Sequence, residues 1–223
     1  MNAAGSDVSR ARRIGGISAL AAAILFGVGS AIWGLDMPDR GTPGDELITY
    51  YEDRADRIVI GASISLIAIA LIVLAAAALR RVLIEAEGDD VLATTAFGGA
   101  LVGVSAGLCA EGVNMMGALR AQDGELSAEL ARSLFEIPQM MGSVGAGLGF
   151  GVFALATAAV AWRSGRVIPR YDAVALAIIG LLMLSPLAHF PVTAFAGLIL
   201  VGLILGVQLL RPPPAPSPAT PTR

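Results

Sequence analysis

The sequence predicts an all-α fold, a polytopic transmembrane helix bundle of about six spanning helices with both termini in the cytoplasm. Of its 223 residues, 56% are hydrophobic and only 15% are charged, less charge than a soluble domain of this size normally carries. The apolar residues form uncharged stretches of about 20 residues, the length at which a helix crosses the hydrocarbon layer of a bilayer. The arginines are concentrated in alternate loops, a pattern typical of membrane proteins with a fixed orientation.

The first span is expected at residues 14–35, after a cytoplasmic N-terminal segment of residues 1–13. Because this stretch follows Arg13, it resembles the start of a secretory signal peptide. Its apolar run reaches Leu35, however, whereas the apolar region of a signal peptide has only about 7 to 15 residues. We therefore expect the first span to be retained.

The next three spans are expected at residues 58–80, 95–119 and 137–162. Before the second span, Thr42 and Pro43 have the features of a helix N-cap and a first helical residue. A short interfacial helix is therefore expected to begin there and to run into the second span.

The last apolar block, residues 173–210, contains no charged side chain. As a single helix it would be about 57 Å long, nearly twice the ~30 Å hydrocarbon layer. It must therefore reverse, and Pro186, His189 and Pro191 mark the place, because proline interrupts a helix. The reversal gives fifth and sixth spans at residues 172–188 and 191–210. A pair of half-spanning re-entrant segments is the alternative.

The arginines fix the expected orientation. Ten lie on one side of the predicted bundle and five on the other, which places the first side in the cytoplasm. Residues 211–223 are rich in proline and are expected to form a disordered cytoplasmic tail. The ten are Arg10, Arg12, Arg13, Arg80, Arg81, Arg163, Arg166, Arg170, Arg211 and Arg223, and the five are Arg40, Arg54, Arg57, Arg120 and Arg132.

A repeated glycine pattern predicts that the third and fourth spans pack closely. Gly99, Gly103 and Gly107 recur every four residues and therefore share one helix face. Small residues at this spacing let two membrane helices approach each other. The expected partner surface on the fourth span contains Ser143, Gly147 and Gly151, with Gly145 and Gly149 alongside.

Glu111 is the residue most indicative of a site, because an ionisable group deep in a span is costly and should face the bundle interior. A carboxyl group there can carry a proton or accept a cation. The polar residues expected at a similar depth are Asn114, Glu136 and Gln139. The alternative is that Glu111 reaches the headgroup region and pairs with Arg120 or Arg132.

A soft-metal site, for example for Cu(I), is an alternative interpretation of the methionines and the histidine on the same side. Adjacent methionines on a helix cannot both point into one site, so we expect no metal and no cofactor. No catalytic constellation is present, so an enzyme is not expected, and no basic cluster indicates a nucleic-acid partner. The residues concerned are Met37, Met115, Met116, Met140, Met141 and His189.

The layout resembles that of the small multi-pass membrane proteins of unknown function found in actinobacteria. The resemblance rests on an arginine-rich start, the sequence Asp-Arg-Ala-Asp-Arg at residues 53–57 and the sequence Leu-Arg-Arg at residues 79–81. It implies a bacterial plasma-membrane protein and no catalytic residues.

These observations leave three functional hypotheses. The first is a non-enzymatic accessory protein that packs with the lipid bilayer, with other membrane proteins or with itself. The second is a small-solute or proton-coupled transporter that uses Glu111. The third is a membrane redox or metal-handling protein.

Overall fold

The computed structural model describes residues 3–88, 90–185 and 191–212, and within these residues the fold is entirely helical. The predicted all-α class is therefore confirmed. The helices are α1 (Ala3–Gly34), α2 (Gly44–Glu87), α3 (Val91–Gln122), α4 (Ala128–Met140), α5 (Ala146–Ser164), α6 (Arg170–Leu184) and α7 (Pro191–Leu210). A single π-helical segment, Met141–Gly145, joins α4 to α5 without a break.

Four helical runs of the described chain are long and apolar enough to cross a membrane, namely α1, α2, α3 and the continuous run from α4 to α5. The helix α6 has 15 residues and α7 has 20, and α7 is also strongly apolar. Each predicted span overlaps one of these runs. The predicted reversal at His189 and the tail from residue 213 lie outside the described residues.

The start of α2 differs from the prediction by one residue. Pro43, not Thr42, occupies the N-cap position, and the Thr42 hydroxyl instead donates to the Asp39 carbonyl at 2.8 Å. The helix then continues for 44 residues, about 66 Å, so the expected interfacial helix and the second span are one element. Its first turns therefore extend beyond the length of a bilayer core.

Arginines gather at one end of the bundle, which we call the arginine-rich end. Arg12 is buried there and its guanidinium donates to the carbonyls of Val167 at 3.3 Å and Gln208 at 3.0 Å. It thereby joins α1 to the end of α7 and to the loop between α5 and α6. Two ion pairs lie at the same end, Arg81 with Asp7 and Arg163 with Glu87.

The opposite, arginine-poor end has a small core of its own. The first turns of α2, the last turns of α3 and the helix α4 pack together there. Tyr51 is 1% exposed and its ring fills the space above Gly117, where an added Cβ would lie 2.7 Å from the ring. The residues of this core are Trp33, Leu47, Tyr51, Ala55, Ile58, Ala118, Ala121, Ala131 and Phe135.

Glycines bring α3 and α5 into backbone contact, as the sequence predicts for the third and fourth spans. A Cβ on Gly99 would lie 2.8 Å from both the Gly149 carbonyl oxygen and the Phe153 nitrogen. A Cβ on Gly149 would meet the backbone of Gly103. The close approach of small residues is therefore the main contact between these two helices.

The predicted partner residues need correction. Gly151 faces α6, where its Cβ would meet Leu184 and the Gly180 carbonyl, and Gly107 faces Ile69 of α2. Gly147 is buried in α5. The glycines of this run whose added Cβ would meet α3 are Gly145, against Ala106, and Gly149, against Gly103.

Gly99 and its neighbour Gly98 provide a matched test of this contact. We expect Gly99→Ala to lower the melting temperature of the detergent-purified protein, because the methyl group meets backbone atoms that cannot move aside; overpacking of this kind costs about 1–3 kcal/mol. An added Cβ on Gly98 has nothing within 4 Å, so Gly98→Ala should be neutral or stabilising through helix propensity. Equal melting temperatures for the two variants would contradict the packing described here.

Candidate functional site

A cavity lies inside the bundle, beside the core of the arginine-poor end. Helices α1, α2, α3, α4, α5 and α7 all contribute to its lining. Its volume is about 40 Å³, which is room for roughly two or three water-sized groups. We call it the Glu111 chamber, because Glu111 is the acidic residue in its lining.

The α4 and α5 wall of the chamber depends on the π-helical segment. The helix α4 begins at Ser127, whose hydroxyl accepts from the Leu130 amide at 3.3 Å. Pro138 then removes a backbone donor, and the Ala146 amide bonds the Met141 carbonyl five residues back. This wider turn directs Gln139, Gly142, Ala146 and Phe150 into the chamber.

Glu111 is 3% exposed and lies on the chamber-facing side of α3. The Ser65 hydroxyl of α2 lies near its carboxylate, but without the geometry of a formed hydrogen bond. Among the described residues, no arginine is within ion-pair distance of this carboxylate, and its Oε2 atom has no hydrogen-bond partner. A buried carboxylate normally needs ion pairs or hydrogen bonds that offset the free-energy cost of removing its charge from water, and the described residues supply no ion pair here.

Two further polar groups of the lining are unpartnered within the described chain. They are the indole N–H of Trp33 and the amide Nε2 of Gln139. The other side of the Gln139 amide is engaged, since its Oε1 accepts from Arg40 Nε at 3.2 Å. Asn114, one turn along α3 from Glu111, also lines the chamber and is half-buried. The chamber lining therefore includes one acceptor and two donors that have no hydrogen-bond partner within the described chain.

Aromatic rings form much of the remaining wall. The Phe26 and Phe195 rings are 5.5 Å apart, and Trp33 meets Phe195 edge to face at 6.2 Å. Tyr50 meets Phe135 edge to face at 6.1 Å, and its hydroxyl donates to the Trp33 carbonyl at 3.4 Å. Contacts of this kind fix the orientation of the rings. The aromatic residues of the lining are Phe26, Trp33, Tyr50, Phe135, Phe150 and Phe195.

The structure brings three of the four predicted polar residues together and separates the fourth. Glu111, Asn114 and Gln139 line the chamber, but Glu136 is exposed and pairs with Arg132 at 3.0 Å. Phe135 and Pro138, on either side of Glu136, line the chamber, so Glu136 is excluded because it lies on the opposite, exposed face of α4.

The alternative pairing of Glu111 with a headgroup-level arginine is wrong within the described residues. Arg120 pairs with Glu125 at 3.8 Å, and Arg132 pairs with Glu136. Both of these acidic partners lie at the arginine-poor end, beyond the depth of Glu111.

The methionines do not converge on one site. Met37 lines the chamber, whereas Met116, Met140 and Met141 are 48%, 50% and 42% exposed. His189 lies outside the described residues. In the described part of the chain, no three His, Cys, Asp or Glu side chains are close enough to hold a metal ion. The arrangement therefore offers no support to the soft-metal hypothesis.

Sequence reasoning missed Ser65 and the aromatic wall. Phe26 and Trp33 are seven residues apart on α1, a spacing that places them on one helix face and gives a weak signal. Phe135 and Phe195 give no such signal, because their convergence depends on how separate helices are rotated.

Neither a protein-family model nor a curated protein nor a solved structure matches this chain. The interpretation of the chamber therefore rests on its own chemistry. An unpartnered carboxylate with aromatic faces around it attracts a cation, through charge and through the negative faces of the rings.

Proposed function

We propose that the chain is a multi-pass protein of the bacterial plasma membrane, with six spanning helices and with both termini in the cytoplasm. Support comes from the helical runs, four of which are long and apolar enough to cross a bilayer. The arginine-rich end supports the orientation, because arginine is enriched on the cytoplasmic side. In this arrangement α6 and α7 are the fifth and sixth spans, and the Glu111 chamber lies nearer the outer surface.

Two surface positions test the orientation. In a Cys109→Ser background we would introduce Asp123→Cys at the arginine-poor end and Arg166→Cys at the arginine-rich end; both positions are exposed. A membrane-impermeant maleimide added to intact cells should label the cysteine at position 123 and reach position 166 only after lysis. The reverse pattern, or labelling of both in intact cells, would contradict the proposed topology.

Within this frame, we infer that the protein is a non-enzymatic carrier of a small cation, with Glu111 as the group that binds it. The observation behind this inference is the carboxylate that is only 3% exposed yet has no cationic partner in the described chain. A protein whose only task is to pack against its neighbours gains nothing from such a group, because burying a charge is unfavourable. Buried acidic residues in membrane helices are typical of ion and substrate pathways.

The accessory role is the second candidate. It is favoured by the exposed apolar faces and by glycine contacts that hold the bundle together, neither of which requires a ligand. The two candidates differ in what Glu111 does, so a substitution at this residue separates them.

A flux measurement tests the carrier function. Purified protein in proteoliposomes should carry a current or an isotope flux when methylammonium, sodium or a proton gradient is imposed, and Glu111→Gln should abolish it. The Gln side chain has nearly the same shape but no charge, so it should keep the fold and a melting temperature at or above that of the wild type.

Glu136→Gln is the matched control, because Glu136 is an exposed carboxylate paired with Arg132 outside the chamber. Its flux should equal that of the wild type. Flux that survives in Glu111→Gln, or the absence of flux for all three probes with folded wild-type protein, would reject the carrier function and leave the accessory role.

A further inference from the structure

A second cavity lies below the Glu111 chamber, towards the arginine-rich end. Its lining consists entirely of apolar residues from α1, α2, α5 and α7, among them Ala22, Ala76 and Leu205. We call it the apolar chamber. Its volume is about 40 Å³, the same as that of the Glu111 chamber.

The two chambers meet at a shared wall. Among the residues that the structure describes, Phe26, Phe150 and Leu198 are the ones common to the two linings. The far end of the apolar chamber is bounded by Leu79 and Leu209. Beyond it, Arg12 binds the carbonyl of Gln208 and closes the arginine-rich end. The two chambers thus adjoin through these side chains, and together they offer an elongated space with the acidic residue in one of its halves.

We propose that this space binds a small alkylammonium ion, with its ammonium group at Glu111 and its alkyl chain in the apolar chamber. This proposal rests on the proposed carrier function and specifies its substrate class. The carboxylate supplies the charge that an ammonium group needs, and the aromatic lining that includes Trp33 is a favourable environment for a cation. An apolar cavity is dry and favours hydrocarbon over water.

The geometry selects against two other classes of guest. An anion is repelled by the unpaired carboxylate, and an inorganic cation leaves the apolar chamber without a function. A chain that reaches past Phe26 and Phe150 fills both cavities. Each cavity holds roughly two or three water-sized groups, and the ammonium group takes one of these places, so we expect the best fit at a chain of about three to five carbons.

A chain-length series tests the proposal. Binding of methyl-, ethyl-, butyl- and hexylammonium chloride would be measured on protein in nanodiscs from the fluorescence of Trp33, which lines the Glu111 chamber. Trp162→Phe removes the other tryptophan, which is exposed. We expect the dissociation constant to fall about fourfold for each added methylene until the apolar chamber is full.

Filling the apolar chamber should remove the rise in affinity with chain length. In Ala76→Leu, or in the milder Ala22→Val if the first variant does not fold, the added carbons occupy the space of the alkyl chain, and the series should become flat. Ala77→Leu adds the same bulk on the exposed side of α2 and should keep the wild-type series.

The outcomes separate this proposal from the carrier function. If the dissociation constant of the wild type does not change with chain length, the alkylammonium assignment is wrong. It is also wrong if the affinity of the filled variants still rises with chain length, since that rise would then arise from partitioning into the lipid. If Glu111 still governs the flux of sodium or protons in either case, the carrier function stands without this substrate. If Glu111→Gln changes neither flux nor binding, both proposals fail.

Discussion

Glu111 is only 3% exposed, and no arginine of the described chain lies within ion-pair distance of its carboxylate. A buried carboxylate is stable only if something neutralises it, whether a proton, a cation or a set of donors. The neighbouring groups offer little: Ser65 is close without a formed hydrogen bond, and the N–H groups of Trp33 and Gln139 are themselves unpartnered. The site is therefore electrostatically incomplete as a carboxylate, and either a proton or a cationic guest completes it.

Close helix packing and the chamber meet at Gly103. An added Cβ on Gly149 would meet the Gly103 backbone, and Gly103 also lines the chamber, about two turns before Glu111. On α5, Phe150 directly follows Gly149 and lines the chamber as well. The π-helical segment lies between Pro138 and Ala146, and its wider turn changes which side chains of this helical run face inward. The same two helices therefore supply both the close contact and part of the cavity wall.

Lipid makes much of this architecture predictable. Backbone groups have no solvent partner in the hydrocarbon layer, so long uncharged stretches must be helical, and their lengths alone indicate α1, α2 and α3. The cost of burying a carboxylate likewise directs attention to Glu111 from its place in the sequence alone. Which residues contact each other across two helices is harder to predict, because these contacts depend on the rotation of each helix about its axis. Gly149 lies against α3 whereas Gly151 faces α6, and the meeting of Phe195 with Trp33 has no signature in the sequence.

The most direct test of the central claim is to ask whether a cation occupies the Glu111 carboxyl group. An apolar carbodiimide reacts with carboxyl groups inside membrane proteins, and mass spectrometry locates and quantifies the modified residue. We expect Glu111 to be modified in protein without added cation, and to be progressively protected as methylammonium is added, while exposed Glu136 is unaffected by the cation. Modification of Glu111 that does not respond to methylammonium, sodium or pH would contradict the account.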